Sequence, residues 1–187
     1  TDHLGGLVPI LDSLEVRTLW APRKPDQSEA QFHNLWRLAA QRGTSLQTMN
    51  TKMGGNKNEN SLVVQLRHGA HRFLLTGDIG EPTESKMLPH LQHFTVVQVP
   101  HHGSKGSSST AFIQQTNASV AVIQSGTGNR YGHPHPAVVN RWKPKTVLRT
   151  DLDGLIEFRS NGSTMVMRSQ NETRRTIFLD ETTGLQR

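Results

Sequence analysis

Apolar positions along the chain fall into two rhythms. Short apolar runs bounded by turn residues predict strands over 16–21, 62–66, 72–75, 95–99 and 119–124, with further strands over 45–48, 147–148, 155–158 and 164–168. Between them, apolar residues recur at helical spacing. Leu4, Leu7, Ile10, Leu11 and Leu14 share one face, and Phe32, Leu35, Trp36 and Ala39 share another. Ser28 is a candidate N-cap for a helix over 29–41, and Gly43 a candidate stop. Further helices are expected over 82–91, 110–115 and 136–142, with Pro82 seated in a first turn. Strands 62–66 and 72–75 read as a hairpin around His68-Gly69-Ala70, and 147–148 and 155–158 as strands across an Asp153-Gly154 turn. The Gly- and Asn-rich stretch 53–60 is expected to be an exposed loop, 104–109 a small polar loop, and 174–187 a frayed tail. Strands alternating with helices indicate an α/β layered domain. In such folds sites form beyond the carboxyl ends of the strands.

Composition narrows what such a domain can do. The chain has 187 residues, enough for one domain with a core, and its net charge of +6 suits an anionic partner such as nucleic acid. It has no cysteine, which excludes a disulfide scaffold or disulfide partner, thiolate metal sites and cysteine nucleophiles. No apolar run approaches membrane-spanning length, and no signal peptide is visible. The chain opens on Thr1-Asp2-His3, a functional-looking turn without the strand that should present it. The expectation is a chain cut from something longer, a domain over 1–162 incomplete at its start, followed by a terminal strand and tail over 163–187.

Candidate chemistry lies where strands end. One run stops at Thr76-Gly77-Asp78, another at Pro100-His101-His102-Gly103-Ser104. A carboxylate and two imidazoles on neighbouring strand ends would bring oxygen and nitrogen ligands together, as a catalytic divalent metal requires. Asp2-His3 lies at the start of the chain, and Arg130-Tyr131-Gly132-His133-Pro134-His135-Pro136 supplies two late histidines. His33, His68, His71, His90 and His93 match no constellation and are read as surface or core residues.

Taken in order, Asp-His-x-Gly-Gly, Asn-x-x-x-Ser before a hairpin, Thr-Gly-Asp, Pro-His-His-Gly-Ser, Tyr-Gly-His-Pro-His-Pro and Arg-Thr-Asp-x-Asp-Gly form one series. This series resembles the metallo-β-lactamase-fold domain of ComEC-type competence proteins, the bacterial channel that takes up transforming DNA. The resemblance covers nearly the whole chain to Gly162. It implies a four-layered αββα hydrolase fold and a nuclease site dependent on Mn²⁺ or Zn²⁺. Carried over by position, Asp2 and His3 end the first metal motif, Asp78 bridges the metals, and His102, or else His101, closes the second site. His133 and His135 would be ligands or proton donors, with His101 also a candidate donor to the leaving oxygen. Ser104 and the N–H groups near Gly103 would hold a phosphate oxygen, and Lys105 and Arg130 neighbouring phosphates. Asn58, Asn60 and Ser61 stand where many relatives of the fold place another metal histidine.

The implied partners are DNA, as a single strand, and the transmembrane and N-terminal parts of the same parent protein. That parent would sit in the bacterial inner membrane, with this domain soluble on the extracytoplasmic side. Two other functions share these residues: a hydrolase on the same fold acting on a small phosphoester, a choline ester or a lactam, and a non-catalytic DNA-binding or structural module. Because Asp2 and His3 lack their presenting strand, the chain as it stands is expected to bind metal poorly and to leave DNA uncut. Comparison with a chain extended upstream, at equal Mn²⁺ on the same DNA, checks this, and equal cleavage by both would refute it.

Overall fold

The computed structural model describes residues 15–26, 28–48 and 61–171, together with the backbone of 177–180 and 184–186. Asp2, His3, Asn58 and Asn60 lie outside the described residues, as do the expected helix over 4–14 and the loop over 53–60. Among the described residues the chain runs β1 (Glu15–Ala21), α1 (Ala30–Gln41), β2 (Ser45–Thr48), β3 (Val63–His68) and β4 (His71–Leu75). It continues through α2 (Glu81–Met87), β5 (Val96–Gln98), α3 (Thr110–Thr116), β6 (Val120–Ile123), α4 (Pro136–Trp142) and β7 (Thr146–Arg149). A short α5 (Thr150–Asp153) precedes β8 (Ile156–Ser160), β9 (Met165–Ser169), β10 (Ile177–Asp180) and β11 (Gly184–Gln186).

The strands form a seven-stranded sheet in the order β2-β1-β3-β4-β5-β6-β7 and a four-stranded sheet in the order β11-β10-β9-β8. The larger sheet is mostly parallel, with β4 to β7 running one way and β3 antiparallel to both β1 and β4. Side chains alternate across its strands, so each strand feeds two cores. Leu74, Val97, Val99, Ala121 and Ile123 face α2, α3 and α4, where Met87, Phe112, Val138 and Trp142 are buried. Val96, Val120, Val122 and Leu148 face the other way, onto Met165 and Met167 of β9. Helix α1 covers the β1–β3 end, packing Leu35 and Ala39 on Leu19, Val64 and Leu66. The molecule is thus a mixed α/β structure with helices on one face of the larger sheet and the smaller sheet plus α1 on the other.

Several local expectations are corrected. Ser28 does not cap α1. Its N–H donates to Asp26 while Glu29 takes the cap position and pairs with Arg23. The helix expected over 82–91 ends at Met87 and tightens into a 3₁₀ turn over Leu88–His90, because Pro89 has no N–H to continue the α pattern. Strands β7 and β8 are not paired across Asp153-Gly154; they lie in different sheets, and α5 carries the chain between them. The tail expected over 174–187 contains β10 and β11, since the free edge of β9 offers a ladder for β10. The loop over 104–109 is polar, yet Ser107 and Ser108 are fully buried.

That loop is fastened from below. Glu84 on α2 is buried, and its carboxylate accepts the N–H groups of Ser108 at 2.5 Å and Ser109 at 2.8 Å. Burial pushes the Glu84 pKa up, while the two backbone bonds pull against that. From α4, the Arg141 guanidinium donates to the carbonyls of Ser107 and Ser108, both at 2.8 Å.

At the opposite end of the sheet the β3–β4 turn meets the β8–β9 turn. Ala70 N–H donates to Gly162 C=O at 2.7 Å, and a Cβ on Gly69 would lie 2.1 Å from that same oxygen. Gly69 also has φ +58°, so glycine is required there twice over.

Two outcomes follow from these contacts. Gly69→Ala must push two backbones apart and should cost about 2 kcal/mol or more, read as a lowered midpoint in thermal unfolding. Glu84→Gln leaves one of two buried N–H groups without an acceptor and should cost about 1–3 kcal/mol near pH 4. The raised folded pKa means that Glu84 stabilises most when protonated, below its unfolded pKa, and that this is lost as pH rises through the folded value. The deficit of Glu84→Gln should therefore shrink as pH rises past the carboxyl range. A deficit that grows with pH in denaturant titrations would refute the assignment.

Candidate metal and phosphodiester site

The site is built at the carboxyl ends of β4, β5 and β6. After β4, buried Thr76 turns the chain by donating its hydroxyl to the Gln98 carbonyl at 2.9 Å. The Gly77 carbonyl accepts from His101 N–H at 3.0 Å, which ties the first strand end to the second. The Asp78 N–H donates to Ser61 Oγ at 3.0 Å, and this fixes the residue that carries the carboxylate.

After β5 the chain makes an unusual turn over Pro100–Gly103. His101 has φ +48° and ψ +47°, and His102 has φ +53° and ψ +21°. Both lie in the left-handed region, at a cost of about 1–2 kcal/mol each for non-glycine residues. Gly103 follows at φ +78°, and a Cβ there would meet Pro134 Cβ at 2.7 Å. The late histidine segment is pressed against this turn, with His135 N–H donating to the Gly103 carbonyl at 2.9 Å. Strain of this kind persists where surrounding structure holds it, and it clusters at functional sites.

Asn129 shapes the segment over 126–135. Its Oδ1 accepts the N–H groups of Tyr131 and His133, and its Nδ2 donates to Gly126 C=O and His133 C=O. The result sets the His133 ring edge-on to His101, with centroids 5.7 Å apart. His101 and His102 rings are 6.3 Å apart. Partial burial lowers the His133 pKa, reinforced by His101 and His102 and opposed by Asp78. This shift favours the neutral form of His133, the form that can ligate a metal or accept a hydrogen bond.

His102 is oriented by its far nitrogen. Nδ1 lies 2.8 Å from the Gln124 carbonyl, which can only accept, so Nδ1 carries the proton. Nε2 then faces Asp78 Oδ1 at 3.3 Å. Two acceptors face each other at that distance only if the ring takes a second proton or a cation lies between them. Two ligand atoms on one tetrahedral zinc, each about 2.1 Å from it, stand about 3.4 Å apart. Asp78 and His102 thus fit one edge of a coordination shell, and the Nδ1 bond to a backbone carbonyl is the usual support for such a histidine. Among the described residues no group of three carboxylate or imidazole side chains is arranged to hold a metal ion.

The structure brings together Asp78, His101, His102 and His133. His135 is differently engaged. It caps α4, its Nδ1 accepting from Ala137 N–H at 3.2 Å, so its Nε2 bears the proton. Ser104 follows the turn, and its N–H donates to the His101 carbonyl at 2.8 Å. Lys105 is exposed nearby, and Arg130 is exposed and donates to the Tyr131 hydroxyl at 2.7 Å. Sequence reasoning missed Asn129, Gln124, Glu84 and Arg141. Only Glu84 left a trace, as a carboxylate three residues before buried Met87 on the same helix face.

No protein-family model matches the chain. It is 40% identical over 109 residues to ComE operon protein 3 of Bacillus subtilis (strain 168), covering 56% of this chain and 14% of that protein. It is 35% identical over 106 residues to competence protein ComA of Neisseria gonorrhoeae, covering 54% and 15%. It is 34% identical over 149 residues to the uncharacterized protein YcaI of Escherichia coli (strain K12), covering 76% and 19%. Over these stretches the chain is related to a family of competence-related proteins, and it spans between 14% and 19% of the length of these relatives.

Proposed function

We propose that the chain is the DNA-cleaving segment of a competence DNA-uptake protein, a metal-dependent phosphodiester hydrolase built on a metallo-β-lactamase-like sandwich. The observation that carries this reading is the Asp78–His102 pair, held at ligand spacing by a left-handed turn and by the Gln124 carbonyl behind His102. Asp78 and His102 would hold the ion, with Asp2 and His3 as the further ligands that the resemblance implies. A bound divalent metal such as Mn²⁺ or Zn²⁺ supplies a Lewis acid for the phosphate oxygen and lowers the pKa of water.

The chain's own residues do the rest. His133 takes up a proton beside the reacting phosphate and, once protonated, returns it to the departing oxygen, while the Nε2–H of His135 is a hydrogen-bond donor for a phosphate oxygen. Lys105 and Arg130 attract the flanking phosphates, with an affinity that falls as salt rises. No helix of the described residues is long and apolar enough to cross a membrane. The parent would supply the membrane-spanning part, leaving this segment on the extracytoplasmic side. A second reading, a non-catalytic DNA-binding module, is favoured by the lack of a three-ligand group among the described residues. Elemental analysis for bound metal separates the two.

Asp78→Ala, made in the chain extended upstream, should lower cleavage of a labelled single strand by more than about 100-fold in Mn²⁺. DNA binding in the same variant should stay within a few-fold of the parent, because it rests on dispersed Lys and Arg. Cleavage that survives the substitution would exclude the role given to Asp78.

A further inference from the structure

Tyr131 is the chain's sole tyrosine and is 66% exposed. It is also held in place. The preceding loop is tied by Asn129, whose Oδ1 accepts Tyr131 N–H, and the Arg130 guanidinium donates to the Tyr131 hydroxyl. The same guanidinium lies 4.9 Å from the ring centroid. Tyr131 is also stacked on His133, 21° from parallel with centroids 6.0 Å apart, and His133 meets His101 edge-on. A run of ring contacts, from exposed Tyr131 through half-buried His133 and His101, therefore leads to the Asp78–His102 site.

We propose that Tyr131, with Arg130, is a stacking platform for a nucleobase next to the phosphate held at that site, so that the protein prefers single-stranded DNA. This rests on the DNA-cleaving reading above and adds to it the residue that distinguishes strand forms. The reason is geometric. In a duplex each base is already stacked on both faces and paired at its edge, so an exposed ring at the rim has nothing to receive. In a single strand a base can leave its neighbours and lie on the ring, whatever its identity, because every base has a π face. The Arg130 guanidinium over the ring adds a second planar stacking surface for a base and keeps a positive charge near the adjoining phosphate.

The test is binding without cleavage, in chelator, to a short labelled thymidine strand, to the same strand made abasic throughout, and to the matching duplex. Tyr131→Ala should weaken binding to the intact strand by about 5- to 100-fold and leave the abasic strand and the duplex unchanged. Tyr131→Phe should bind like the parent, since the ring rather than the hydroxyl does the stacking. Thermal unfolding of Tyr131→Ala should match the parent, as the side chain is largely in solvent. Equal binding of the intact strand by Tyr131→Ala and the parent would overturn the platform while leaving the DNA reading in place. An equal loss on intact and abasic strands would overturn it too, by showing that the effect passes through phosphate contacts. A parent chain that binds none of the three would overturn the DNA reading and the platform together.

Discussion

Two adjacent histidines in the left-handed region are the constraint on which the site depends. Neither residue adopts that backbone unaided, and together they cost a few kcal/mol by the usual per-residue scale. The opposing forces are identifiable. His101 N–H is held by the Gly77 carbonyl, the Ser104 N–H closes back on the His101 carbonyl, and Ser107 Oγ donates to Pro100 C=O at 2.9 Å. Ser108, a third left-handed residue at φ +61°, is held through both of its backbone groups, by Glu84 and by Arg141. Helices α2 and α4 therefore serve the site without touching it. Buried Glu84 and half-buried Arg141 act on the backbone of one loop, and that loop supports the turn that aims two imidazoles.

The same constraint explains the order of events along the sequence. Asp78 and His101 are 23 positions apart, yet one backbone hydrogen bond from His101 to Gly77 joins their turns. The parallel pairing of β4 and β5 brings the two strand ends level, Phe73 opposite Val96 and Leu74 opposite Val97. The late segment then closes over Gly103, which must lack a side chain because Pro134 occupies that space. A site of this kind forms only when three separate pieces of chain have docked, so its geometry depends on tertiary packing rather than on any local motif.

This is also why part of the molecule could be read in advance and part could not. The core strands were legible because Val96, Val97, Val120 and Val122 carry β-branched side chains on both faces, and α4 because its proline start and apolar face are local signals. Asp78 and the two histidines stood out as polar side chains at the ends of apolar runs, and the structure brings them together. Asn129 and Gln124 were not, since one works through its amide in a loop and the other through a backbone carbonyl that any residue possesses. Ser28 misled because a good capping side chain next to a helix was outcompeted by the Glu29–Arg23 pair.

The close meeting of the β3–β4 and β8–β9 turns has a consequence for how the molecule can change. His68 Nδ1 sits 3.0 Å from Ser160 Oγ, the same oxygen accepts Gly162 N–H, and Ala70 is bound to Gly162. This junction pins the two sheets at the end remote from His101, His102 and His133. The rim that carries Tyr131, Lys105 and the 126–135 segment is therefore free to be lengthened, shortened or recharged without loosening the clamp between the layers. Sequence change can accumulate at one pole of the protein while the other keeps the fold closed.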